Sequence, residues 1–166
     1  MDTNRVLWEL EQRRLITETM QDYCEFVDRN DADALALRVF SPDAAFQLGA
    51  TRAVVGRPDL RLMFAKTLAA FSATSHHLSN VRIRFEGDDR ATSTAYIYAW
   101  HRTLAGDGVE VWGRYADEHV LLDEGWRIAK RHLSMAGTEG WDRPPFEMIE
   151  RLPNPVDPPA PTVTCT

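Results

Sequence analysis

Two hydrophobic periods meet in this chain, and their order limits the folds open to it. In the first part the apolar residues recur at helical spacing. Ile16, Met20, Tyr23 and Val27 are separated by four, three and four residues and form one stripe. Further on, Val81, Ile83 and Phe85 alternate with Arg82, Arg84 and Glu86, the period of a half-buried strand. Helices first and strands after predict an α+β domain, with the helices on one face of a curved antiparallel sheet.

Local signals divide the two halves further. A helix is expected over 4–27, followed by a short one capped by Asp31 and running through Leu35 and Leu37. "SPDAAFQLGA" reads as a turn and a short strand, and "TRAVVG" as its hairpin partner. "RPDLRLMFAKTLAAF" reads as a helix with Pro58 tolerated in its first turn. The remaining segments alternate between "GDD", "AGDG" and "DEG" turns, which predicts an antiparallel meander. Residues 1–139 are expected to form one domain. Residues 140–166 hold seven of the nine prolines and read as an extended tail.

Charge narrows the partners. The net charge is −6 and no Lys/Arg run exceeds two residues, so neither nucleic acid nor an anionic membrane is an expected partner. Cys24 and Cys165 have no metal-ligand spacing and suggest no disulfide framework. "MDTNRVLWELEQRR" lacks an apolar signal core, and no apolar run nears the roughly 20 residues of a membrane span. A cytoplasmic location is expected.

Several chemistries lack their motif. There is no glycine-rich phosphate loop, no Gly-x-Ser-x-Gly and no His-Glu-x-x-His. His101, His119 and His132 lie on separate expected strands, where a three-strand metal site is geometrically open to them, but neither metal nor cofactor is expected. Asp28 is more informative, because it ends the apolar helical stripe where the helix dipole disfavours a carboxylate. A solvated helix-end acid is the commoner reading of such an Asp. The functional reading is a carboxylate turned into a pocket to hold an imidazole. A His–Asp pair makes a general base near neutral pH, because histidine ordinarily titrates at about 6.5.

Adjacent His76 and His77 point to opposite faces of a strand. Strict alternation puts His77, not His76, on the face of Val81, Ile83 and Phe85. His76 faces inward only if the strand changes parity across 78–80, through a bulge or strong twist. Tyr98, Trp100, Trp112, Tyr115 and Trp126 are available as an aromatic wall for a ring-shaped ligand, although strand aromatics are more often ordinary core.

"QDYCEFVDRNDADAL", "FSPDAAF", "GRPDL", "SHHLSN", "GRYADEHV" and "GWRIAKR" follow one another as in the SnoaL-like branch of the nuclear transport factor 2-like superfamily. Over about residues 10–137 the chain resembles the scytalone dehydratase, bile-acid 7α-dehydratase and hexachlorocyclohexane dehydrochlorinase group. The resemblance implies a cone-shaped sheet around the helices, with a pocket between them. It also implies that Asp28 supports His76, since His76 and not His77 stands four residues before Asn80. His77 is the alternative. Tyr23 matches a tyrosine that polarises substrate in some dehydratases, against a core role on its stripe. Arg131 matches a basic residue near the pocket, against an exposed strand-end arginine.

These residues imply a cofactor-independent dehydratase-like lyase acting on a small hydrophobic, cyclic substrate. A polyketide-type cyclase or double-bond isomerase shares the first step. A noncatalytic ligand-binding domain, or an interaction module like nuclear transport factor 2 itself, would not need the Asp–His pair. The resemblance further implies a homo-oligomer, a trimer ahead of a dimer.

Overall fold

The computed structural model describes residues 2–141 together with Met148 and Ile149. Most of the expected proline-rich tail lies outside the described residues.

Helix α1 spans Thr3–Asp28, and the Asp2 carboxylate caps it by accepting from the Asn4 amide at 3.0 Å. Its stripe of Ile16, Met20, Tyr23 and Val27 is buried. After Asn30 takes a left-handed φ of 56°, the three-residue helix α2 (Ala32–Ala34) is capped by Asp31 and runs into a π-turn over Leu35–Val39. That wider turn buries Leu35, Ala36 and Val39 and delivers the chain to strand β1, Phe40–Leu48. The short strand β2 (Val54–Val55) pairs antiparallel with β1, as the hairpin reading expects. Helix α3 covers Arg57–Leu68 with Pro58 in its first turn, and it buries Leu60, Phe64 and Leu68.

Four long strands complete the sheet: β3 (Phe71–Phe85), β4 (Arg90–Thr103), β5 (Gly108–Leu122) and β6 (Gly125–Glu139). They form the expected antiparallel meander. The whole sheet is mixed rather than antiparallel, because β1 lies parallel to β6 in the order β2-β1-β6-β5-β4-β3. The chain leaves β1 through β2 and α3 and enters the meander at the opposite edge of the sheet. The fourth meander strand then arrives beside β1 running the same way. A second difference concerns the end of the third helix. It stops at Leu68, short of the expected Phe71, and β3 begins at Phe71 with His76 and His77 well inside it. Pairing with β4 from Phe71↔Thr103 onward supplies the hydrogen bonds that extend 71–77.

The architecture is α+β, with the helices held on one face of a curved, unclosed sheet. The larger core joins α1, α3, β1 and the sheet through Tyr23, Phe40, Phe46 and Phe64, with ring centroids 5.4–6.4 Å apart. A smaller core packs Ile16 and Met20 against Ala91, Ala95 and Trp126. The Trp126 indole donates to Gln12 Oε1 at 2.9 Å, which places this residue in the second core and not on a pocket wall. Among the described residues no helix is long and apolar enough to cross a membrane.

Candidate active site

The direction of His76 is set by one extra residue in β3. Ser79 faces Tyr96 and Arg82 faces Thr94, so Asn80 and Val81 together oppose a single residue of β4. Asn80 takes a left-handed φ of 51°, a conformation asparagine tolerates better than most residues. This is a β-bulge, and it changes the parity of the strand. Thr74, His76 and Leu78 are partly buried on one side of it, and Val81, Ile83 and Phe85 on the other. His77 is exposed on the opposite face, with its Nε2 3.0 Å from Ser75 Oγ and its ring beside Tyr98.

The bulge brings β3 to the C-terminal end of α1. Asp28 Oδ1 accepts from His76 Nδ1 at 2.7 Å and from the Thr74 hydroxyl at 2.8 Å, and Oδ2 accepts from the His76 backbone amide at 2.9 Å. These donors explain how a carboxylate is held at an unfavourable helix end. Burial pushes the Asp28 carboxyl up, but hydrogen bonds from the His76 ring, the His76 amide and Thr74 outweigh it and leave it below the usual range. An ionised carboxylate only accepts, so His76 Nδ1 carries the proton and Nε2 keeps a lone pair.

His76 lines a cavity of about 310 Å³ between α1, α3 and the sheet. Its walls include Tyr23, Phe46, Met63, Ile97, Tyr115 and Trp141, and among the described residues no Asp, Glu, Lys or Arg side chain lines it. Asp28 stands behind His76 and is not part of the wall.

Tyr23 and Tyr115 stack edge-on at 5.6 Å on this wall. Burial pushes the Tyr23 phenol up to about 12 and the Tyr115 phenol well above its ordinary 10, so both keep their protons at neutral pH. Arg131 is neither an exposed strand-end residue nor on the cavity wall. It is fully buried behind the two tyrosines, its guanidinium 4.2 Å from the Tyr23 ring and 4.0 Å from the Tyr115 ring. Asp117 holds it through two hydrogen bonds, Nε–Oδ1 at 2.8 Å and Nη2–Oδ2 at 2.6 Å. Burial pushes this guanidinium down, and the paired carboxylate more than offsets it.

Of the expected aromatic wall, only Tyr115 faces the cavity. Tyr98, Trp100 and Trp112 stand on the outer face of the sheet, where Tyr98 lies 5.9 Å from Trp112 and its hydroxyl donates to Glu110. Period-2 alternation dictates this, since Ile97, Ala99 and Val111 take the inner positions. The inner face of β4 carries Ala91, Ser93, Ala95, Ile97, Ala99 and His101, and its small Ala91 and Ala95 lie where Ile16 and Met20 of α1 pack.

His101 also lines the cavity, and its functional position is not evident from the sequence. Its ring meets that of His76 edge-on at 5.2 Å, and its Nδ1 is buried without a hydrogen-bond partner. Burial, reinforced by neighbouring His76, pushes its pKa down to about 4, so it is neutral at neutral pH. The available signal is its shared parity with Ile97 and Ala99, masked by apolar residues on both faces of β4. The other histidines are elsewhere. His119 is buried with Nε2 2.8 Å from Ser93 Oγ, and His132 Nε2 lies 3.0 Å from the Gly49 carbonyl oxygen. Among the described residues, no three His, Cys, Asp or Glu side chains cluster as metal ligands.

Known proteins supply the context for this geometry. The family model for the SnoaL-like domain matches residues 8–132. None of the curated proteins matches the chain. A Novosphingobium aromaticivorans structure provisionally named a scytalone dehydratase superposes with a TM-score of 0.83 at 26% identity, covering 89% of this chain and 99% of that one. A second structure from the same organism, provisionally named an aromatic ring hydroxylase, gives a TM-score of 0.75 at 31% identity over 80% and 94% of the two chains. A type 2 hexachlorocyclohexane dehydrochlorinase (LinA) gives 0.73 at 18% identity over 90% and 99%, a likeness of fold.

Proposed function

The chain belongs to the SnoaL-like domain family, and within it we propose a cofactor-independent lyase that removes a carbon-bound proton from a small, neutral, cyclic substrate. The observation that carries this reading is the Asp28–His76 pair. One ring nitrogen is committed to a carboxylate and the imidazole stands at the wall of an apolar cavity. His76 Nε2 takes the proton, and Asp28 fixes the tautomer and stabilises the imidazolium that forms. Tyr23 and Tyr115, protonated at neutral pH, are hydrogen-bond donors on the same wall. The neutral His101 adds a polar group beside the base, suited to a departing hydroxyl. Arg131 acts from behind the tyrosines, as a fixed positive charge close to both rings. The dehydratase and dehydrochlorinase names among the structural neighbours support elimination as the outcome. Cyclisation or isomerisation would share the deprotonation.

A wall without charged side chains among the described residues favours a neutral substrate over an anionic one. Tyr98, Trp100 and Trp112, with Tyr96 left 44% exposed, are proposed to cover an interface between copies of the chain, a trimer by analogy with the dehydratase group.

A nitrobenzisoxazole probe tests the base without knowledge of the natural substrate. It is neutral and bicyclic, and loss of one C–H proton opens its ring to a coloured phenolate. His76→Ala should lower the ring-opening rate by at least about a hundredfold, while His77→Ala stays near wild type. Equal rates for wild type and His76→Ala would remove the general-base reading and favour a ligand-binding domain.

A further inference from the structure

Besides His76 and Tyr23, the cavity is bounded by a residue placed after the last strand. β6 ends at Glu139, and Gly140 turns the chain with a φ of +78°. A Cβ at Gly140 would lie 2.1 Å from the Gly108 carbonyl oxygen, so only glycine lets the backbones cross this closely. The crossing sets the direction in which Trp141 leaves the sheet. Trp141 is part of the cavity wall, packs against the larger core, and lies over His101 with ring centroids 6.4 Å apart and planes at 27°. Phe71 meets His101 at 4.7 Å and His76 meets it at 5.2 Å. One imidazole is therefore surrounded by three rings from β3 and the β6 exit.

We infer that Trp141 is a specificity-determining residue: its indole makes the cavity select a planar, uncharged ring and keeps water from the His76–His101 pair. This rests on the cavity being the substrate site, as proposed above. The aromatic faces around His101 gain offset or edge contacts with a flat π system that a puckered saturated ring of equal size does not make. Loss of the indole would open the wall beside His101. The groups acting on that ring are His76 on β3, Asp28 at the end of α1 and the Val109 backbone on β5. None of these is altered when Trp141 is replaced.

Binding of naphthol and of its fully saturated analogue decahydronaphthol, measured by calorimetry, tests the selection. Wild type should prefer naphthol. Trp141→Ala should weaken naphthol binding roughly tenfold and reduce the preference by about threefold to tenfold, the range expected for lost ring–ring contact. Trp141→Phe should retain most of both. Gly140→Ala should reproduce the loss by displacing the indole. Proton NMR adds a reading that a merely structural role would not move: in Trp141→Ala the His101 titration should rise from about 4 toward the ordinary 6.5 as water enters. If Trp141→Ala does not fold, Trp141→Leu, which keeps apolar bulk without a π face, carries the same comparison. Unchanged ring preference, or an unchanged His101 titration, overturns the inference. None of these measurements uses turnover, so failure of His76 as a base would leave their outcome intact.

Discussion

Replacing Asp28 by Asn keeps the side chain's size and removes its charge, and the geometry dictates how the hydrogen bonds must rearrange. Wild-type Asp28 accepts three hydrogen bonds, two at Oδ1 and one at Oδ2. Asparagine offers a single acceptor oxygen. The His76 backbone amide can only donate, so that oxygen must take the Oδ2 position and the new NH₂ group the Oδ1 position. Thr74 can rotate to accept, but His76 Nδ1 can accept only by giving up its proton. The proton then sits on Nε2, the nitrogen meant to act as base. An inverted tautomer in a His–Asp pair costs up to roughly 10⁴-fold in rate, so a loss of about 10²–10⁴ in nitrobenzisoxazole opening is expected. Stability should fall by about 1–3 kcal/mol, because charge-assisted bonds become neutral ones. The pH sign is also determined. The folded Asp28 carboxyl lies below its ordinary 3.8, so its stabilisation is present above that value and is lost as pH falls through the folded one. Asp28→Asn should lack this acid-side loss. Nitrogen-15 NMR of the His76 ring reads the tautomer directly. A variant with wild-type turnover, or a wild-type ring protonated at Nε2 instead of Nδ1, would refute the reasoning.

His119 supplies a second acid dependence. Burial pushes it down to about 4 from 6.5, so the folded state resists its protonation. Its contribution is complete above pH 6.5 and is lost as pH falls toward 4, by about 3 kcal/mol, and His119→Gln should flatten that slope in urea titrations. Asp117→Ala strands the Arg131 guanidinium in the core and should cost about 3–5 kcal/mol by chemical denaturation, so a loss under about 1 kcal/mol would contradict the buried pair. Light scattering at micromolar concentration should show a trimer, and a monomer there would remove the proposed role of the outer aromatics.

How far the sequence reveals this arrangement varies with the range of the interaction. The α1 stripe, the α3 start at Pro58 and the β3–β6 meander follow from periodicity and turn residues, which act over a few positions. The parallel seating of β1 beside β6 joins residues more than eighty positions apart, and no local signal carries it. Asn80 shows the same limit at short range. Alternation alone favours His77, and only a left-handed residue that pairing with β4 leaves as an extra selects His76. The aromatics of β4 mislead for another reason. Hydrophobicity marks both faces of that strand, and on the inner one the small Ala91 and Ala95 lie where Ile16 and Met20 of α1 pack. Arg131 likewise reads as a surface residue until Asp117, fourteen positions earlier, is seen to neutralise it.

The bulge at Asn80 makes the identity of the inward histidine a matter of a single codon. Asn80 and Val81 share Ala95 as their opposite residue, so losing the Asn80 codon would leave an even ladder with His76 still inward. Asn80→Val acts differently. A β-branched residue opposes the left-handed φ that holds the bulge, and a strand of unaltered length with unbroken alternation must turn one of its halves over. The half beyond Asn80 is anchored by Phe85 against Trp8 and Trp126 and by Arg13, whose guanidinium donates to the Ile83 carbonyl at 2.6 Å. The earlier half is anchored by its hydrogen bonds to Asp28. Where 74–78 yields, Thr74 and His76 leave Asp28 for solvent and His77 swings inward in their place. Diethyl pyrocarbonate labelling then exchanges the reactivities of the two imidazoles, and an unaltered labelling pattern would show that the other half had yielded. In a gene of this kind, one altered codon exchanges one imidazole for its neighbour without changing either residue.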